Sequence, residues 1–170
     1  MESHKCEILT RGYELDRASL IPPVIFFRYM EHLRWVSAAS GAMDLMQLLS
    51  RGYLLVVAGQ QLHLHRQVGM GVRLEASMKV NHAGRTSLTL SQAFREGDDL
   101  VAQGQVAAVL LDPTGAPAPL PEELRALAGA EPAPELCPRL EAARPDETWS
   151  WPTTVRPSDL DLYNHANQSS

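Results

Sequence analysis

Cysteine is scarce in this 170-residue chain: Cys6 and Cys137 stand far apart and form no CxxC pair. That argues against a disulfide framework or a thiolate metal cage, and fits a reducing compartment. A surplus of positive charge is missing as well. With 15 Lys and Arg against 20 Asp and Glu, the formal net charge is −5, whereas nucleic-acid binders concentrate cations on one face; a nucleic-acid partner is not expected. Long apolar runs are also lacking. Residues 24–27 and 53–58 are among the longest, far too short to span a bilayer, and the first five residues lead into no apolar signal core. The composition predicts a soluble, cytoplasmic protein with no membrane span.

What the chain does have is enough apolar residue, 45%, to bury one sizeable core. Residues 6–13 alternate in polarity and predict a first strand. Pro22-Pro23 then precedes Phe26, Tyr29, Met30, Leu33 and Val36 at helical spacing, which predicts a helix over 24–40, since proline suits a first helical turn. Gly41 interrupts that pattern, and residues 42–49 predict a further short helix closed by Ser50-Arg51-Gly52. From Tyr53 the pattern turns to strands: 54–68, 72–82, 86–95 and 100–111, separated by glycine-bearing turns. The order strand, helix, four strands suits an α+β fold in which an antiparallel sheet wraps around one helix. Eight prolines among Ala and Glu over residues 113–145 predict an extended linker, with a short helix over 122–128. Residues 149–156 predict a strand that Pro152 restricts to an edge or bulge.

Two segments carry a resemblance. The run Asp159-Leu160-Asp161-Leu162-Tyr163-Asn164-His165-Ala166-Asn167 resembles the Asp-Leu-Asp-x-x-x-His-x-Asn signature of acyl-carrier-protein thioesterases of the hotdog fold. Tyr13-Glu14-Leu15-Asp16-Arg17-Ala18-Ser19-Leu20-Ile21, followed by Phe26-Phe27-Arg28-Tyr29-Met30-Glu31, is similar to the loop that leads into the central helix in 4-hydroxybenzoyl-CoA-type thioesterases. The segments beginning at Gly71, Gly84 and Leu100 resemble that fold's third to fifth strands. The resemblance implies one hotdog repeat over 1–112, a linker over 113–147 and the opening of a second repeat over 148–170. It also implies hydrolysis of an acyl-CoA or acyl-carrier-protein thioester without a cofactor, by a homodimer or a pair of repeats.

Thioester hydrolysis needs a base or nucleophile for the carbonyl carbon and N–H donors for the oxyanion. Asp16 stands where the resembled family places its catalytic carboxylate; capping the helix or closing a turn is the other reading of an Asp at this place. Ser19 replaces a glycine of the family pattern, and Pro22 and Pro23 bring no N–H, which leaves the amides of Ser19, Leu20, Ile21 or Val24 onward, or a side chain from elsewhere, as oxyanion donors. In the second copy Asp161, His165 and Asn167 match the signature, whereas Tyr163 stands where relatives often carry Asn. Ser19, Leu20, Tyr29, Arg66, Arg85 and Ser87 are the candidates for holding substrate, the arginines through phosphates of CoA or phosphopantetheine. His63 and His65 share a strand face, but no third metal ligand follows at suitable spacing. The alternative reading is a non-catalytic acyl-binding or dimerisation module.

Overall fold

The computed structural model describes residues 4–40, 45–129 and 150–157. The chain divides into two compact units, Met1–Cys137 and Pro138–Ser170. In the first, β1 (His4–Leu9) leads through a 3-10 turn (Gly12–Glu14) to α1 (Pro23–Ala39) and the short α2 (Leu45–Ser50). Four strands follow, β2 (Leu54–Leu64), β3 (Arg73–Ala83), β4 (Ser87–Glu96) and β5 (Asp99–Leu111), and then α3 (Glu122–Ala126). The five strands form one antiparallel sheet in the order β1-β3-β4-β5-β2. A long helix against a curling antiparallel sheet is the hotdog arrangement the sequence predicts.

The helix begins where it does because Pro22 is extended and Pro23 occupies the first turn, where the missing N–H removes a donor that would be unpaired anyway. Its buried positions, Ile25, Phe26, Tyr29, Met30, Leu33, Ser37 and Ala38, fall three or four residues apart and so make one stripe. Facing it, β4 buries Leu88, Leu90, Gln92 and Phe94, and the paired register brings Ala108, Val106, Gly104 and Ala102 of β5 to the same side. Phe26 meets Phe94 edge-on with 5.7 Å between ring centroids, a geometry aromatic pairs prefer.

Gly104 lets α1 sit this close. A Cβ built there would stand 2.6 Å from Met30 Sδ and Cε, and Met30 is completely buried. Gln92, the polar member of the β4 row, is satisfied by α1 itself: its Nε2 donates to Met30 O at 2.8 Å. The core continues past β5. Pro117 bridges to Leu111, the Ala118 and Leu120 amides donate to Leu110 O and Arg85 O, and Ala118, Leu120 and Leu124 are buried. The stretch read as linker therefore begins with a packed segment.

Three local expectations differ from the structure, one being that the strand expected over 54–68 ends at Leu64. The first strand ends at Leu9 rather than near Tyr13, because Glu14 turns back on Arg11: the Arg11 N–H donates to Glu14 Oε2 at 2.7 Å, and Glu14 N–H donates to Arg11 O at 3.1 Å. The expected strand over 149–156 does not form in its described part; residues 150–157 are exposed and carry no strand, in keeping with Pro152 being unable to donate to a ladder. Trp149 lies outside the described residues.

Candidate active site

Residues 10–21 reach α1 through a loop whose backbone is tied on both sides. Thr10, buried, donates its hydroxyl to Gly69 O at 2.8 Å and accepts from Val72 N–H at 2.9 Å. Ile21 N–H donates to Val68 O at 2.8 Å. Between these anchors Asp16 builds a tight turn. Its Oδ1 accepts from Ala18 N–H at 2.8 Å and Leu20 N–H at 3.1 Å, while its own N–H donates to Leu20 O and its carbonyl accepts from Ser19 N–H. This is the turn-closing geometry that Asp favours through its short acceptor side chain. Asp16 is exposed, and its second carboxylate oxygen meets no protein donor among the described residues.

Ser19 stands where the resembled pattern carries glycine. Its φ of 61° is the left-handed conformation that a glycine adopts without steric cost. The amides of Ser19, Leu20 and Ile21 all have protein acceptors, so these three donors are engaged. Ile25 N–H bonds Pro22 O, which leaves Val24, two-fifths exposed, as the first-turn amide of α1 with no acceptor among the described residues. It lies at the positive end of the helix dipole.

Beside the turn sits a polar pair that the sequence did not reveal. Glu14, whose side chain is only 8% exposed, accepts on Oε2 from both the Tyr29 hydroxyl at 2.6 Å and the Arg11 amide, and on Oε1 from the Arg11 guanidinium at 3.3 Å. Burial first, and the adjoining Glu14 carboxylate second, raise the Tyr29 phenol well above its ordinary range. Tyr29 is thus a fixed donor to Glu14, and its ring packs between Phe26 and Phe94. The Arg11-x-x-Glu14 spacing was the readable signal, since a Glu three residues on commonly caps a helical start.

The remaining candidates lie elsewhere. Arg66 pairs with Glu96 and Arg73 with Glu7 at 2.6 Å, so both guanidinium groups have carboxylate partners. Arg85 is exposed in the β3–β4 turn and Ser87 opens β4. Within one chain these two lie beyond the far end of β3 from Val72, which ties the Asp16 loop, and eleven residues of strand span roughly 35 Å at 3.3 Å per residue. His63 and His65 stack with 4.3 Å between rings, and His65 shares a hydrogen bond with Gln103. Among the described residues no group of three His, Cys, Asp or Glu could hold a metal ion. Asp161, His165 and Asn167 lie outside the described residues. Arg34 extends from α1 to Gln92 Oε1 at 3.5 Å, and burial lowers its pKa.

No curated protein sequence matches the chain. Among solved structures it is similar to YbaW from Escherichia coli, with 19% identity and a TM-score of 0.67 over 74% of this chain and 99% of that one. A 1,4-dihydroxy-2-naphthoyl-CoA thioesterase from Synechocystis is similar at 17% identity and a TM-score of 0.66, over 74% and 95%. The dynemicin thioesterase gives 18% and 0.67 over 74% and 94%. At such identities the likeness establishes the fold. Residues 13–127, running from the loop ahead of Asp16 through α3 and covering well over half of the sequence, match the pattern of one family, and the chain belongs to the thioesterase-like superfamily.

Proposed function

We propose that the chain hydrolyses an acyl thioester, carried on CoA or on acyl carrier protein, to the free acid. One observation carries the reading: a carboxylate with one open oxygen, Asp16, sits just ahead of a helix whose first turn offers the Val24 amide. Asp16 takes a proton from water as the water oxygen bonds to the carbonyl carbon. The resulting oxyanion is stabilised by the Val24 N–H and the helix dipole. Collapse breaks the C–S bond, and the proton held by Asp16 returns to the departing thiolate. No cofactor enters this chemistry. Arg85 and Ser87 are too far along β3 to serve the same carbonyl, so their substrate-binding role requires a second copy of the chain.

A second reading, a non-catalytic acyl-binding module, is favoured by the commitment of Asp16 Oδ1 and of three neighbouring amides to the turn. Free-thiol release from a panel of acyl-CoA and acyl-carrier-protein thioesters separates the two. The enzyme reading expects Asp16→Asn to lose about 10²- to 10⁴-fold in turnover with its circular dichroism unchanged. Full turnover in that variant removes Asp16 from the chemistry; a folded wild-type chain that hydrolyses nothing leaves the binding module.

A further inference from the structure

We infer that Glu14 and Tyr29 are positioning residues: together they brace the Asp16 turn against α1, so that Asp16 and the Val24 amide hold one fixed relation. The inference rests on the proposed hydrolysis for its kinetic consequence, but its structural part stands alone.

Four contacts lead to it. The Tyr29 hydroxyl, one and a half turns into α1 from Val24, reaches back to Glu14 Oε2 at 2.6 Å. The same oxygen holds the Arg11 amide at 2.7 Å, and the other oxygen holds the Arg11 side chain. The Glu14 carboxylate therefore joins the strand side of the loop to the helix. The fourth contact, Ile21 N–H to Val68 O, fixes the far end of the same loop. Asp16 lies between these two fastenings, two residues after Glu14 and five before Ile21. A nearly buried carboxylate with charge-assisted bonds is a stiff link, and Tyr29 is itself wedged between two rings. Because the phenol is held well above its ordinary range, it stays a donor throughout the pH range of an assay. The turn's own bonds set its shape but not its place relative to α1; that place depends on the brace.

Orientation of this kind is costly to lose, since a shift of about 1 Å at a reacting group costs about 100-fold in rate. Tyr29→Phe keeps the ring packing and removes the link. The expected result is a fall in kcat of about tenfold to 100-fold with KM nearly unchanged, and faster hydrogen exchange at the Ala18 and Leu20 amides that bond Asp16. Glu14→Ala should act in the same direction. Glu14→Gln, which keeps an acceptor for Tyr29 and Arg11, should recover most of the loss, a rescue that a merely stabilising residue would not show in kcat. A folded Tyr29→Phe protein with wild-type kcat and unchanged exchange at Ala18 and Leu20 overturns the inference. If the wild-type chain hydrolyses no thioester, the proposed function fails and the exchange measurement alone decides: unaltered protection in both Tyr29→Phe and Glu14→Ala overturns the brace, and lost protection establishes it.

Discussion

Tyr29 makes the stability of this fold fall at alkaline pH. Tyr29 is buried at 4% exposure, and both its burial and Glu14 raise its pKa from the ordinary value of 10. In the unfolded chain Tyr29 gives up its proton near that ordinary value, while the folded chain retains it. Above that pH the unfolded state binds fewer protons, so stability falls as pH rises; below it the contribution is fully present. Urea midpoints of the wild-type protein should hold level toward pH 9 and then fall, by about 1.4 kcal/mol per pH unit from this one group. Tyr29→Phe should remove that part of the slope. An equal alkaline slope in both proteins would mean that Tyr29 titrates normally in the fold.

At the level of the elements, Gly104 sets how closely α1 can approach β5. Adding one methyl in Gly104→Ala drives into Met30, which has no route to solvent; overpacking of this kind costs about 1–3 kcal/mol. Denaturant melts should show that loss with an unchanged slope, and a loss below about 0.5 kcal/mol would show that Met30 repacks freely. The helix was legible in the sequence because its apolar stripe and its two prolines agree on where it starts, so residues 24–40 become Pro23–Ala39. The four later strands were legible from turns that glycine punctuates. Gly104 was not: inside a strand pattern a glycine reads as a weak point, and only the register that sets it under Met30 gives it a purpose. Asp16 was legible as a carboxylate with two roles open, catalysis or closing a turn; its bonds to Ala18 and Leu20 come with the left-handed Ser19, which a serine does not announce. Glu14 and Tyr29 lie fifteen residues apart, one in a loop and one in a helix, and no periodicity links them.

On the scale of the whole molecule, the sheet has two unequal ends. β1 is short at six residues, whereas β2 is long and largely apolar in its first half, and a long apolar strand at a sheet's edge favours association with another chain. Light scattering at micromolar concentration should therefore give about twice the 18.7 kDa of one chain, as the proposed use of Arg85 and Ser87 from a second copy requires; a monomer would remove those two residues from the site. The strand order β1-β3-β4-β5-β2 also governs assembly in time. Three strands consecutive in sequence occupy the middle of the sheet, and the two outer strands are the first to be synthesised. β1 waits for β3, with His4 pairing to Met78, and β2 waits for β5, with Leu54 pairing to Leu111. Closing such distant pairs is slow compared with local ones. On the ribosome, the loop bearing Asp16 and the helix behind it emerge with no surface to dock on, and that end of the fold is completed only after β5 has left the exit tunnel.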